Sequence, residues 1–345
     1  MHSFKNDYSE GAHPEVLKLL LETNMEQTEG YGLDPYSLQA IQLIKSLIQN
    51  EDADIHLIPG GTQTNLIAIS SFLRPHEAVI SAATGHILVH ETGAIEATGH
   101  KVLSVVTADG KLRPADILDV VQAHTDEHMV KPRLVYISNS TEIGSVYSKK
   151  ELEELYACCR ENSLLLYMDG ARLGSALCAE GSDVQLADIS RSTDAFYIGG
   201  TKNGALLGEA LVICNGSLKN DFRFLMKQRG AMLAKGRILG IQFLALFRDC
   251  LYFRLARHAN EMAALLRQGI QDAGYTFFSE SPSNQIFPIL PNRLIQKLQQ
   301  RFGFYIWKEI DSGHSAVRLV TSWATERETV LRFVDGVKSF ISNSF

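Results

Sequence analysis

The sequence has no apolar run approaching the roughly 20 residues that cross a bilayer. Its opening stretch, MHSFKNDYSEGAHPEV, has no apolar segment of the kind a secretory leader needs. Cysteine is sparse. Cys158, Cys159, Cys178, Cys214 and Cys250 are the only five, an odd number, scattered and without a C-x-x-C pair. That usage fits reduced, core-filling thiols and a cytoplasmic protein. There is no charge run of tail length, and the net charge of −6 argues against the basic face of a nucleic-acid binder. No Walker P-loop, no G-x-G-x-x-G dinucleotide turn and no H-E-x-x-H zinc motif occurs. His86/His90 and His124/His128 have i, i+4 spacing without that context, so no metal site is expected.

What is present is an ordinary globular composition, 45% hydrophobic and 21% charged over 345 residues. A chain of this size buries about three quarters of its unfolded surface. From about residue 53, short apolar β-branched runs alternate with helical patterns. The runs read as strands at Asp54–Pro59, Ala78–Ser81, Val102–Val106, Arg133–Ser138, Leu164–Met168, Ala195–Ile198 and Ala210–Cys214. Helices are expected at Ser37–Gln49, Gln63–Leu73, Val89–Ala97, Pro114–Ala123 and Lys149–Asn162. Near-continuous apolar strands between helices indicate an α/β, mostly parallel sheet covered on both faces. A long helix over Arg237–Ala273 then gives way to a different order. Strands are expected near Tyr275–Phe278, Gln285–Leu290, Phe304–Lys308 and Val317–Thr321, with a helix near Arg293–Phe302 and a closing helix from Glu326. The expected organisation is therefore an irregular arm (1–13), a large α/β domain (14–245) and a small C-terminal α+β domain (246–345).

Five fragments carry chemistry. In Ile198-Gly199-Gly200-Thr201-Lys202-Asn203-Gly204 a strand ends, two glycines turn the chain, and a lysine follows. Ligands of open α/β sheets bind at carboxyl ends of strands, and desolvation there makes an amine nucleophilic toward carbonyls. Leu164–Arg172 delivers Asp169 to the same edge, where a charge closing an apolar strand needs a partner. Pro59-Gly60-Gly61-Thr62 is a strand-to-helix turn whose free N–H groups suit a phosphate. His86 follows a strand and can stack on a flat ring or act as an acid or base. Arg318 lies inside an apolar strand, and its fork matches a carboxylate. Each fragment alone has a plainer explanation: a surface lysine, a capping aspartate, a tight turn, a structural histidine, an edge-strand arginine. Five such explanations at one sheet edge are hard to sustain.

Together the fragments resemble fold-type I enzymes dependent on pyridoxal 5′-phosphate (PLP), and more narrowly the low-specificity L-threonine aldolases of the β-eliminating lyase group. The resemblance runs nearly end to end. Met168-Asp169-Gly170-Ala171-Arg172 and Gly199-Gly200-Thr201-Lys202-Asn203-Gly204 carry most of it. Asn6-Asp7-Tyr8-Ser9, Tyr31-Gly32-Leu33-Asp34, Thr141-Glu142 and Arg318 with Thr321-Ser322-Trp323 add to it.

The resemblance implies a seven-stranded, mostly parallel sheet and a Schiff base between PLP and Lys202. It implies that Asp169 pairs with the pyridine nitrogen, Arg172 touches the ring hydroxyl and His86 stacks on the ring. Gly60, Gly61, Thr62 and Thr201 would hold the phosphate, and Arg318 with Asn6 the substrate carboxylate. Thr141 stands where many relatives have a histidine tied to the substrate hydroxyl. Tyr31, with Lys235 and Arg237, would reach a neighbouring subunit's site in a homodimer or homotetramer. The reaction implied is aldol cleavage of a β-hydroxy-α-amino acid to glycine and an aldehyde, with His86, alone or through a water, a candidate base. β-Elimination, transamination and racemisation remain alternatives, and a non-catalytic PLP-fold protein is a remote one.

Overall fold

The structure, a computed structural model, describes residues 2–342. Strand β1 (His2–Ser3) comes from the N-terminal arm. Seven strands then build the main sheet: β2 (Asp54–Ile58), β3 (Glu77–Ala82), β4 (Val102–Val105), β5 (Lys131–Ser138), β6 (Leu165–Asp169), β7 (Ala195–Gly199) and β8 (Glu209–Ile213). Their spatial order is β2-β8-β7-β6-β5-β3-β4. All pairings are parallel except those of β8, which runs antiparallel to both its neighbours. The pleat sorts the apolar side chains by alternation. Ile80, Val135, Ile137, Leu166, Met168, Phe196, Ile198 and Val212 face one buried layer. Val79, Leu134, Tyr136, Leu165, Tyr167, Tyr197 and Leu211 face the other. Strands buried on both faces are what the near-continuous apolar runs require.

The helices start where capping chemistry places them. Asp34 accepts the N–H of Ser37 at the head of Pro35–Ile48, and Ser148 and Glu151 form a capping box on Lys149–Glu161. Two expected helices differ. Arg237–Ala273 is two helices, Arg237–Arg248 and Leu251–Asp272, because Cys250 adopts a left-handed backbone (φ 56°) that ends the hydrogen-bond ladder. Val89–Ala97 is only His86–Val89 and a single turn at Glu96–Thr98, separated by left-handed Thr92 and Gly93.

The C-terminal region adds β9 (Gln285–Ile286), β10 (Ile289–Pro291), β11 (Phe302–Gly303), β12 (Tyr305–Glu309) and β13 (His314–Val320). The strand expected over Gln285–Leu290 is divided at Phe287-Pro288, where proline has no N–H to give a ladder. The strand expected near Tyr275–Phe278 is reduced to one bridge, Phe277 to Pro288. The arm, expected to be irregular, is tied down: β1 pairs with β11, and Phe4 is fully buried among Leu266, Leu319 and Phe333.

A second tie on the arm is ionic. Asp7 is almost fully buried, and Arg172 clamps it through Nε and Nη2 at 2.7 and 3.0 Å. Burial works to raise the Asp7 pKa, but the guanidinium outweighs it and holds the carboxyl below its usual range. A depressed folded pKa stabilises above the unfolded value of about 3.9 and is lost as pH falls through the folded one. Asp7→Asn should therefore cost about 3–5 kcal/mol near neutral pH, because Arg172 is left buried without a counter-charge. Denaturant melts should show the gap between variant and wild type closing below pH 4; a gap unchanged by acid would contradict this.

Candidate active site

Pleat and register assemble the site. Tyr136 on β5 lies opposite Tyr167 on β6, and Ser138 lies opposite Asp169. Asp169 is two residues beyond Tyr167, so it faces the same layer, as does Tyr197 on β7. Asp169 is nearly inaccessible and accepts four hydrogen bonds. Oδ1 takes the Ala171 N–H (2.9 Å) and the Tyr197 hydroxyl (2.5 Å). Oδ2 takes the Tyr136 hydroxyl (2.6 Å) and the Asn65 amide (3.0 Å). Asn65 is itself held by Tyr167 and Glu91. Burial acts to raise the Asp169 pKa, but nearby His86 and these donors keep it below the ordinary value. The carboxylate stays charged at the bottom of the site. The three phenols, buried beside it, are pushed well above their usual pKa.

The turns on either side of Asp169 permit no side chain. A Cβ on Gly170 would stand 1.8 Å from the Tyr197 carbonyl oxygen, and one on Gly199 would stand 2.4 Å from that of Ala171. That close approach seats the Lys202 turn directly beside the Asp169 turn. Glu209, first residue of β8, pins the lysine turn: it accepts the Gly200 N–H at 3.0 Å and the Thr201 hydroxyl at 2.8 Å. Thr201 in turn accepts the Gly208 N–H. Burial pushes Glu209 up to about 8. Lys202 is half-buried and has no hydrogen-bond or ion-pair partner among the described residues. Burial, then the charge of Arg172, lowers its pKa, against the pull of Asp7, Asp169 and Glu209.

Above this floor lies a cavity of about 270 Å³ lined by Tyr8, His86, His90, Glu142, Arg172, Lys202, Gln285 and Arg318. His86 Nδ1 lies 2.9 Å from Glu91, which fixes the ring. Arg318 donates from one end to the Lys5 carbonyl, and its buried Nε has no partner. The faces of Trp307 and Tyr305 flank its guanidinium. Gly60 heads the helix Gly61–Phe72 with no side-chain cap, and the N–H groups of Gly61, Thr62 and Gln63 have no partner among the described residues. Free N–H groups at a helix start can receive an anion.

Lys202, Asp169, His86, Arg172 and Arg318 thus converge. Asn6 lies beside the cavity rather than in its wall, accepting from the Tyr8 N–H and the Ser9 hydroxyl. Thr141 is buried and its hydroxyl is engaged with Ser145, so its neighbour Glu142 forms the wall instead. Tyr31 is half-exposed and elsewhere, under the Lys227 ammonium. Arg237 donates to the carbonyls of Thr23 and Glu26, and with Lys235 borders a second hollow near Gly30. Sequence reasoning missed Tyr136, Tyr197, Glu209 and Asp7 as members of the site; the tyrosines read as strand residues, and only pleat parity with Asp169 could have marked them.

The arrangement has relatives. Residues 8–291 match the family model described as β-eliminating lyase. The chain is 32% identical over 331 residues to a low-specificity L-threonine aldolase of Pseudomonas aeruginosa, covering 95% of this chain and 94% of that protein. It is 52% identical to a threonine aldolase of Leishmania major whose structure superposes with a TM-score of 0.98, covering 99% of this chain and all of that one. An aspartate aminotransferase of Thermus thermophilus, 15% identical over 98% of this chain and 90% of its own with a TM-score of 0.69, shares the fold alone. The chain belongs to the β-eliminating lyase family of PLP-dependent enzymes, in the branch of the low-specificity L-threonine aldolases.

Proposed function

We propose that the chain cleaves threonine and related β-hydroxy-α-amino acids to glycine and an aldehyde, with PLP held on Lys202. One observation carries the reading: a desolvated, partnerless amine and a guanidinium with a free Nε face the same cavity above a buried carboxylate.

The residues fit the cofactor. Lys202 offers the amine, Asp169 a charge for the pyridine nitrogen, the Gly60-Gly61-Thr62 helix start a phosphate seat, and His86 a flat wall. Thr201 serves the phosphate only from a hydroxyl already shared with Glu209, so the helix start takes the larger part. Arg172 has one guanidinium nitrogen, Nη1, outside its clamp on Asp7, and that nitrogen would serve the ring hydroxyl. Bound PLP supplies an electron sink for the pair left on Cα. The protein supplies positioning. Arg318, with its unpartnered Nε in the cavity, would take the substrate carboxylate and so fix the orientation of the bond to be broken. Asn6 steadies the arm that brings Tyr8 and Lys5 to that end of the cavity. Nearby His86, then the Tyr136, Tyr197 and Asn65 donors, keep Asp169 ionised, which would preserve its attraction for a protonated pyridine. Thr141 acts from behind the wall, shaping the loop that presents Glu142.

Among the described residues no helix is long and apolar enough to cross a membrane, and all five cysteines are free. We place the enzyme in the cytoplasm on that chemistry. Tyr31, Lys235 and Arg237 lie together away from the cavity of their own chain, which supports a homodimer or a homotetramer in which they complete a neighbouring site.

Purified holoenzyme should release acetaldehyde and glycine from L-threonine and L-allo-threonine. Only pyruvate, or a keto acid with pyridoxamine phosphate, would overturn the aldolase reading. Light scattering should give at least a dimer, and an active monomer would remove the shared-site proposal.

A further inference from the structure

The cavity contains two imidazoles, two guanidiniums, an amine, a phenol, an amide and one carboxylate. That carboxylate, Glu142, holds neither the cofactor nor the substrate carboxylate. It sits in the loop after β5, four residues past Ser138. Its Oε1 accepts the Ser138 hydroxyl at 2.7 Å and the backbone N–H of His86 at 2.9 Å. Two donors from two elements hold this oxygen, while Oε2 has no hydrogen-bond partner among the described residues. The carboxylate is therefore oriented, with one lone-pair-bearing oxygen free beside the cavity that also contains Lys202 and Arg318. Burial raises its pKa, as does nearby Asp169, against the pull of Ser138 and His86. A carboxylate with a raised pKa is a stronger base than an exposed one.

His86 is the rival base. Its Nδ1 is committed to Glu91, so an imidazole proton on that nitrogen leaves only Nε2 for chemistry. His90 shares the cavity lining with His86, ring centroids 5.5 Å apart, and burial lowers the His90 pKa.

We propose that Glu142 is the catalytic base that takes the β-hydroxyl proton of the substrate. The inference rests on the aldol reading and deepens it. The O–H proton passes to Oε2. The O–H electron pair becomes the second bond of the departing aldehyde. The Cα–Cβ bond breaks and leaves its pair on Cα, and a proton later returns there to give glycine. No oxidant or further reactant is needed. The same group selects the substrate class: an amino acid without a β-hydroxyl offers Glu142 no proton.

The test separates this role from a structural one. Removal of a Cα proton from glycine needs the cofactor and Lys202 but no β-hydroxyl. Glu142→Gln holoenzyme should keep its visible cofactor band and keep exchanging the glycine Cα–H for deuterium in heavy water. Its kcat for threonine cleavage should fall about 10²- to 10⁴-fold. In Glu142→Ala, added formate should restore part of the cleavage rate, since a small carboxylate can occupy the space. Unchanged cleavage in Glu142→Gln would overturn the proposal. So would joint loss of cleavage and glycine exchange, or a Glu142→Ala variant indifferent to formate. If the wild type exchanges glycine protons yet releases no aldehyde from any β-hydroxy amino acid, the aldolase reading itself fails.

Discussion

Asp169 closes a strand whose other residues are Leu165, Leu166, Tyr167 and Met168, and it is buried with its charge. An ionised carboxylate in such a place is costly unless protein donors replace water. Here two strand tyrosines, a helix asparagine and a backbone N–H do so. Much of the local architecture follows from that requirement. β5 and β7 must flank β6 to bring Tyr136 and Tyr197 within reach. The helix Gly61–Phe72 must cross the sheet to bring Asn65, and its free N-terminus then lies over the same edge. Gly170 must lack a side chain so that the turn can fold against Tyr197.

A second layer of charge sits above this one and balances it. Lys202 is kept partly desolvated and near Arg172, both of which favour the neutral amine. Arg172 is itself neutralised by Asp7 from the arm. Without the arm a buried guanidinium would stand uncompensated beside the lysine, so the first residues of the chain balance the charge there although they lie outside the main sheet. Glu209 fixes the lysine turn from the antiparallel strand, which gives β8 a role beyond completing the sheet.

The parts legible in sequence are those where chemistry and chain direction coincide. Lys202, Asp169 and the Gly60-Gly61-Thr62 turn each follow an apolar run, so the residues alone place them at one sheet edge. The seven strands of the sheet are located to within two residues at each end for the same reason. The rest depends on contacts distant in sequence. The Asp7–Arg172 clamp spans 165 residues, and no local pattern announces it. Tyr136 and Tyr197 look like ordinary strand-formers until register places them beside a carboxylate. Thr141 and Glu142 are adjacent, and only the loop's backbone decides which one meets the cavity. Cys250 carries no breaker signature, so a continuous helix over 237–273 is the natural reading of that stretch.

Everything in the site turns on one lysine holding the cofactor at this edge. Borohydride reduction of the holoenzyme, followed by peptide mapping, decides whether it does. A phosphopyridoxyl group is expected on the peptide that contains Lys202 and on no other. A modified lysine elsewhere, or a coloured holoenzyme that yields no modified peptide, would contradict it.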